Sequence, residues 1–190
     1  MPFAHPGYFL CHIPNAVAVH TRTILRLSAL ELSIRPFRPD DLPAMQVVRQ
    51  AAFEPVFRSF REIVGEGIYS LALAEADAEQ AELLNDLCSA NSGQVYVAAI
   101  DGRVVGFVSF TLNVEKRTGE IGLNAVHPDF AGQGIGTRMY ELVTARMKAC
   151  GMALATVSTG ADPSHAPARR AYEKAGFGPA LPSVFMYKML

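Results

Sequence analysis

From Leu32 onward the apolar positions fall into blocks of strand-like and helix-like spacing. Ile34-Arg35-Pro36-Phe37-Arg38 reads as a short edge strand, where a proline is tolerated. Pro39-Asp40-Asp41 offers a helix start, and Leu42 to Ala52 is predicted helical. Phe53 to Ser70 mixes aromatics and arginines with Gly65 and Gly67 and shows no clear period. Leu71 to Leu87, rich in Ala, Glu and Leu, predicts a second helix. Strands are then predicted over Gln94 to Ile100, Val104 to Leu112 and Glu120 to Val126, with Asp101-Gly102 as the first hairpin turn.

A glycine-rich loop follows, then a helix over Ile135 to Ala149. Its residues Met139, Leu142, Val143 and Met147, with Cys150 beyond, recur at helical spacing and mark a buried face, and Gly151 suits the position after its end. Ala153 to Thr159 predicts a strand, Ala166 to Ala175 a helix closed by Gly176, and Val184 to Met189 a last strand. Strands and helices mix without strict alternation, so the fold class is a mixed α/β sheet with helices on both faces.

Composition narrows the function. The chain has 190 residues, half of them hydrophobic, enough for one sizeable core. That domain runs over residues 32–190, after an N-terminal extension, residues 1–31, with no assigned role. A net charge of −1 gives no electrostatic grip on nucleic acid or an anionic membrane. Cys11, Cys88 and Cys150 are odd in number and widely spaced, which fits a reducing compartment, the cytoplasm, rather than a disulfide framework. His5, His12 and His20 lack metal-ligand spacing, and no metal is expected.

The chemistry concentrates at Val126 to Thr137, V-H-P-D-F-A-G-Q-G-I-G-T. Gly132, Gly134 and Gly136 alternate directly before a helix. Glycine lets the backbone turn sharply and lets a ligand approach, while the first N–H groups of a helix have no internal partner. Together these make a diphosphate site. A Walker A loop needs a Lys-Ser/Thr pair where this chain has Ile135-Gly136-Thr137-Arg138, and a dinucleotide fingerprint needs its third glycine one residue later. His127, before Pro128, reads as a turn residue.

This stretch resembles the acyl-CoA-binding motif of the GNAT superfamily of N-acetyltransferases. Asp162 to Phe177, D-P-S-H-A-P-A-R-R-A-Y-E-K-A-G-F, is similar to the family's downstream segment N-x-x-A-x-x-x-Y-x-K-x-G-F. Two positions depart from it: Ala131 stands where Arg or Gln is usual, and His165 replaces the asparagine. The resemblance implies a mostly antiparallel central sheet, splayed where acetyl-CoA enters as cosubstrate, and acetyl transfer to a primary amine in a ternary complex. It implies cofactor contacts at Asn124, Ala125, Val126, Gly132, Gln133, Gly134, Ile135, Gly136, Thr137, His165, Ala168 and Tyr172.

Such a transfer needs a base for an ammonium with a pKa of about 10.4 and an acid for the leaving thiolate. Glu120 is the candidate base. Period-2 alternation puts Glu120, Gly122 and Asn124 on one face of their strand, and Ile121, Leu123 and Ala125 on the other, toward the core. The resemblance makes Tyr172 the acid and a backbone N–H near Val126 the carbonyl polariser. The acceptor is expected to be a small-molecule or peptide amine, met by Phe53 to Ser70, where Arg58 and Arg61 offer a carboxylate grip. The short connection Gly178 to Ser183 suits an open acceptor side or a wall supplied by a homodimer partner. A non-catalytic acyl-CoA-binding regulatory module is the alternative.

Overall fold

A computed structural model describes residues 31–90 and 92–190. The extension expected over residues 1–31, with His5, Cys11, His12 and His20, lies outside the described residues apart from Glu31. Five strands form one sheet in the order β1 (Leu32–Pro36), β2 (Val95–Ile100), β3 (Arg103–Asn113), β4 (Thr118–Val126) and β5 (Leu154–Val157). The first three pairings are antiparallel and β4–β5 is parallel. The Asp101-Gly102 turn has φ values of 49° and 82°, as a two-residue hairpin of the right twist requires.

Helices α1 (Leu42–Ala72) and α2 (Ala76–Ala90) pack on one face of the sheet, and α3 (Ile135–Ala149) and α4 (Ala166–Lys174) on the other. β2 shows why the sequence encodes this. Its run V-Y-V-A-A-I is buried throughout, with Tyr96, Ala98 and Ile100 in the core under α3 and α4, and Val95 and Val97 in the core under α1 and α2. A strand buried on both faces cannot alternate apolar with polar.

The patternless stretch Phe53 to Ser70 is helix. It continues α1, which carries Pro55 and changes direction at Gly65, where φ is 77° and ψ is 159°. Arg49 and Gln46 hold α1 to α2: Arg49 pairs with Asp77 at 2.6 Å, and Gln46 Nε2 donates to the Ala81 carbonyl and to Asn85 Oδ1, both at 2.9 Å. Arg49 is itself buried, so this pairing keeps its charge satisfied inside the helix pair.

The last strand expected over Val184 to Met189 does not form. Six residues, 178–183, separate it from Phe177, and Pro179 and Pro182 among them supply no N–H for a ladder. The segment reaches no strand, and Val184, Phe185 and Met186 are 82–88% exposed.

Candidate active site

Strand β4 organises the site. Its register with β3 runs Phe110↔Ile121 and then Val108↔Asn124, so Gly122 and Leu123 together oppose Ser109 alone. This is a β-bulge. The Ser109 hydroxyl donates to the Leu123 carbonyl at 2.9 Å and stitches the bulge.

The bulge overturns the expected alternation. Ile121 lies in the core under α3 and α4, whereas Ala125 and Leu123 lie with the core under α1 and α2. The extra residue reverses the parity, so Glu120 and Asn124 sit on opposite faces rather than on one. Glu120 is exposed, in register with Thr111 and Thr156, before the bulge. Asn124, after it, bonds Tyr140 of α3 and Tyr172 of α4.

Pairing of β4 with β5 stops at Ile121↔Val157, while pairing with β3 continues to Val126. The sheet is therefore splayed over Gly122–Val126. His127 N–H donates to the Val105 carbonyl of β3 at 2.8 Å. Ladder bonds alternate in direction along a strand, so the N–H groups of Asn124 and Val126 point the other way, into the opening beside β5.

The glycine loop follows the splayed end of β4 in the chain and leads into α3. Gly132 and Gly134 both have φ of 77°, a conformation costly for other residues, and space around each is open. Gly134 caps α3, and the first helical bond is Arg138 N–H to the Gly134 carbonyl at 3.1 Å. The N–H groups of Ile135, Gly136 and Thr137 are thus left outside the helical ladder. Gly136 differs from the other two glycines. A Cβ there would face Tyr140 and Ala171 at 3.6–3.7 Å, so its side faces α4. The Thr137 hydroxyl likewise reaches the Ala171 carbonyl. Gln133 and Ala131 are exposed on the loop, and His127 caps the turn after it by accepting the Asp129 N–H at 3.3 Å.

The second motif has a structural explanation. The N–H of Phe177 donates to the Tyr172 carbonyl and that of Gly176 to the Glu173 carbonyl, both at 3.0 Å, with Gly176 at φ of 89°. This is a Schellman ending, and its usual apolar contact is made by the Tyr172 and Phe177 rings, 5.9 Å apart. The ending fixes Tyr172 against Tyr140, ring to ring at 4.5 Å. Burial raises the Tyr172 phenol above its ordinary range, with the Asn124 bond and the neighbouring Tyr140 hydroxyl acting in the opposite direction. Tyr140 is raised as well, by burial and by Tyr172. Ala168, one turn earlier on α4, packs against the same core.

His165 precedes α4. Its Nδ1 lies 2.6 Å from Asp162 Oδ2, Ser164 donates to the same carboxyl, and the ring stacks on Phe60 of α1 at 5.9 Å. Burial pushes the Asp162 carboxyl up, but the bonds from Ser164 and His165 outweigh it and leave it below its ordinary value. A Cβ on Gly160 would come within 2.5 Å of both ring nitrogen and carboxyl, so the turn is built tightly around this pair. The pair ties α1 to the segment expected to touch cofactor.

Arg58 and Arg61 do not present two open cations. Arg58 pairs with Glu54, and Arg61 with Glu66 at 3.3 Å while lying over the Tyr69 ring. They line a cleft of about 340 Å³ with Gln50, Phe57 and Asp77. Cys150 packs against the core, as expected for the end of an apolar helix face. Among the described residues no group of three or more His, Cys, Asp or Glu side chains is arranged to hold a metal ion, and no helix is long and apolar enough to cross a membrane. Sequence reading missed Tyr140 and Ser109. Tyr140 directly follows a core methionine on α3, and no period marks it as a polar contact.

The family model described as the acetyltransferase (GNAT) family matches residues 58–177. An uncharacterized N-acetyltransferase of Archaeoglobus fulgidus is 42% identical over 60 residues, which is 29% of this chain and 41% of that protein, well under two thirds of its length. Two solved structures share the fold. A GNAT family acetyltransferase from Brucella melitensis in complex with acetyl-CoA superposes with a TM-score of 0.53 at 22% identity, covering 81% of this chain and 93% of that one. The paia N-acetyltransferase of Thermoplasma acidophilum in complex with coenzyme A gives 0.61 at 16% identity, covering 78% and 90%.

Proposed function

The chain belongs to the acetyltransferase (GNAT) family, and on that premise we propose that it transfers the acetyl group of acetyl-CoA to a primary amine by direct attack in a ternary complex. One observation carries the reading. The splayed end of β4 runs on through the glycine loop to the three N–H groups of the α3 N-terminus that make no helical bond. A ligand with an extended amide arm and a diphosphate fits both features.

The diphosphate is held by the N–H groups of Ile135, Gly136 and Thr137, with Gly132, Gln133 and Gly134 shaping the approach. Backbone donors supply most of this grip, so Ala131 removes one side-chain contact and leaves the site intact. The arm pairs with the free edge at Asn124, Ala125 and Val126, while His165 and Ala168 flank it from the start of α4. The Val126 N–H polarises the thioester carbonyl. Glu120 takes the amine proton from the α1 side, directly or through water. Tyr172 returns a proton to sulfur from the α4 side. The acceptor is a small-molecule or peptide amine entering past α1, and a homodimer partner is the element that closes the otherwise open side near residues 178–183. The odd, widely spaced cysteines support a cytoplasmic location as part of this reading.

The test is a thermal-shift comparison of CoA, acetyl-CoA, longer acyl-CoAs, NAD and ATP, followed by a thiol-release screen over an amine panel with product masses. Stabilisation by acetyl-CoA and release of CoA with an acetylated amine are expected. Stabilisation by NAD or ATP and none by CoA would overturn the reading. Binding of acetyl-CoA without release to any amine would make the protein a binding module.

A further inference from the structure

The Asn124 carboxamide is wired in one orientation. Its Nδ2 donates to the Gly122 carbonyl at 2.9 Å, and a carbonyl only accepts, so that atom is the NH₂. Its Oδ1 therefore faces the Tyr140 hydroxyl, 2.7 Å away, and Tyr140 must donate. The second Nδ2 hydrogen reaches the Tyr172 oxygen at 3.0 Å. Tyr172 lies 3.4 Å from Oδ1, a long contact to an oxygen whose short bond, at 2.7 Å, comes from Tyr140. The network thus gives the Tyr172 oxygen a donor and makes no strong use of its hydrogen. Tyr140 and Tyr172 are 4% and 6% exposed, so bulk water does not replace these bonds.

We propose that Tyr140 and Asn124 are positioning residues for Tyr172: Tyr140 locks the carboxamide with its N–H on the Tyr172 oxygen, which leaves the Tyr172 hydrogen for the sulfur of the departing thiolate. This rests on the reading of Tyr172 as the acid. As the amine nitrogen bonds to the acetyl carbon, the carbon–sulfur bond breaks and its electron pair goes to sulfur. Tyr172 passes its proton to that sulfur. The phenolate left behind keeps the Asn124 N–H bond until a proton returns from solvent, into which the amine's own proton is released. Removing Tyr140 frees Oδ1, and the Tyr172 hydrogen turns to it instead of to sulfur. The groups facing Tyr172 are Asn124 from β4, Tyr140 from α3 and the Phe177 ring after α4; Tyr140 is the titratable one.

The test needs no acceptor. CoA bound to the protein is titrated by thiolate ultraviolet absorbance against the CoA-free protein, for wild type, Tyr172→Phe, Tyr140→Phe and Asn124→Leu. A hydroxyl aimed at sulfur stabilises the thiolate, so bound CoA should titrate below free CoA. Tyr172→Phe should move the midpoint up by about one pH unit, the scale of a hydrogen bond to a charged group. Tyr140→Phe and Asn124→Leu should move it in the same direction, and for Tyr140→Phe the CoA affinity measured by calorimetry at a pH below the thiol titration should be unchanged. If Tyr172→Phe shifts the midpoint and either of the other two titrates as wild type, the positioning role falls and the acid survives. If wild type shows no depression, or Tyr172→Phe no shift, both fall. Tyr140→Phe deletes one oxygen and keeps the stacked ring, so the test holds even if Asn124→Leu does not fold.

Discussion

The two glycines at the start of α3 should answer the same substitution with opposite signs. Gly134 caps the helix at φ of 77° and ψ of 8°, in the left-handed region. Alanine there costs about 1–2 kcal/mol in backbone strain. Reduced freedom of the unfolded chain returns about 0.4–1 kcal/mol, leaving a net loss of about 1 kcal/mol. For a chain of this size that is a fall in Tm of about 2–4 °C. Gly136 is already helical, and its new methyl would meet Tyr140 and Ala171 at 3.6–3.7 Å, ordinary contact distances. Helix propensity then favours alanine by up to about 1 kcal/mol, less near a helix end, so Tm should hold or rise slightly. The two should also part in ligand binding. If the loop relaxes out of the left-handed conformation, the Ile135 N–H turns from the diphosphate, and one lost charge-assisted bond weakens CoA about ten-fold or more. Gly136→Ala leaves the donors in place. Thermal unfolding with and without CoA, plus calorimetric affinity, reads both quantities. Loss of CoA binding in Gly136→Ala at unchanged stability would refute the reasoning, because it would put that glycine's open side against the ligand and not against α4.

Glu120→Gln should lower turnover by about 10²–10⁴-fold while acetyl-CoA affinity holds; a change of a few fold, measured by thiol release, would hand the proton to a water chain. Ser109→Ala strips the bulge of its stitch and leaves the Leu123 carbonyl short of a donor, at a cost of about 1–3 kcal/mol visible in urea unfolding. Asp41 accepts both Arg35 guanidinium nitrogens, at 2.6 and 2.7 Å, and the Arg38 N–H at 2.8 Å, and the Arg35 bond in particular holds its carboxyl below the ordinary range. A depressed carboxyl stabilises the fold above its unfolded pKa, about 3.9, and that contribution disappears as pH falls through the folded value. Asp41→Asn should therefore lose about 2 kcal/mol at neutral pH and show a flatter decline in stability below about pH 4, checked by unfolding curves across that range; an unchanged acid slope would exclude the pair as its source.

Much of the fold was legible because local signals carried it. The Asp101-Gly102 turn, the α3 period and the Gly151 and Gly176 stops each specify a feature within a few residues, and each is where the pattern put it. What escaped was set by long-range pairing. The bulge in β4 exists because Gly122 and Leu123 oppose one residue on another strand, and alternation read along a single strand cannot contain that information. The same holds for α1: Phe60 stacks on His165 of the segment before α4, while Arg58 and Arg61 pair along α1 itself, so no single-face period appeared in Phe53 to Ser70. The apolar pattern of Val184 to Met189 is strand-like, but a strand also needs a neighbour in reach. In the site, the glycine loop and the Tyr172 segment were readable as motifs, whereas Tyr140 entered only once α3 and β4 were laid against each other.

The extra residue in β4 makes the sheet a partition with a door on each side. In the proposed reaction the amine gives up its proton on one face and the sulfur receives one on the other, with the acyl carbon in the gap between. Register, more than identity, guards that arrangement. Absorbing the extra residue at constant length, by slipping the second half of β4 one position along β3, would restore regular alternation and turn Asn124 toward the face of Glu120, away from both tyrosines. The strand would still read as a strand and still pair with β3. A chain so altered would keep its fold and the α3 phosphate cradle while mixing the two proton routes on one side.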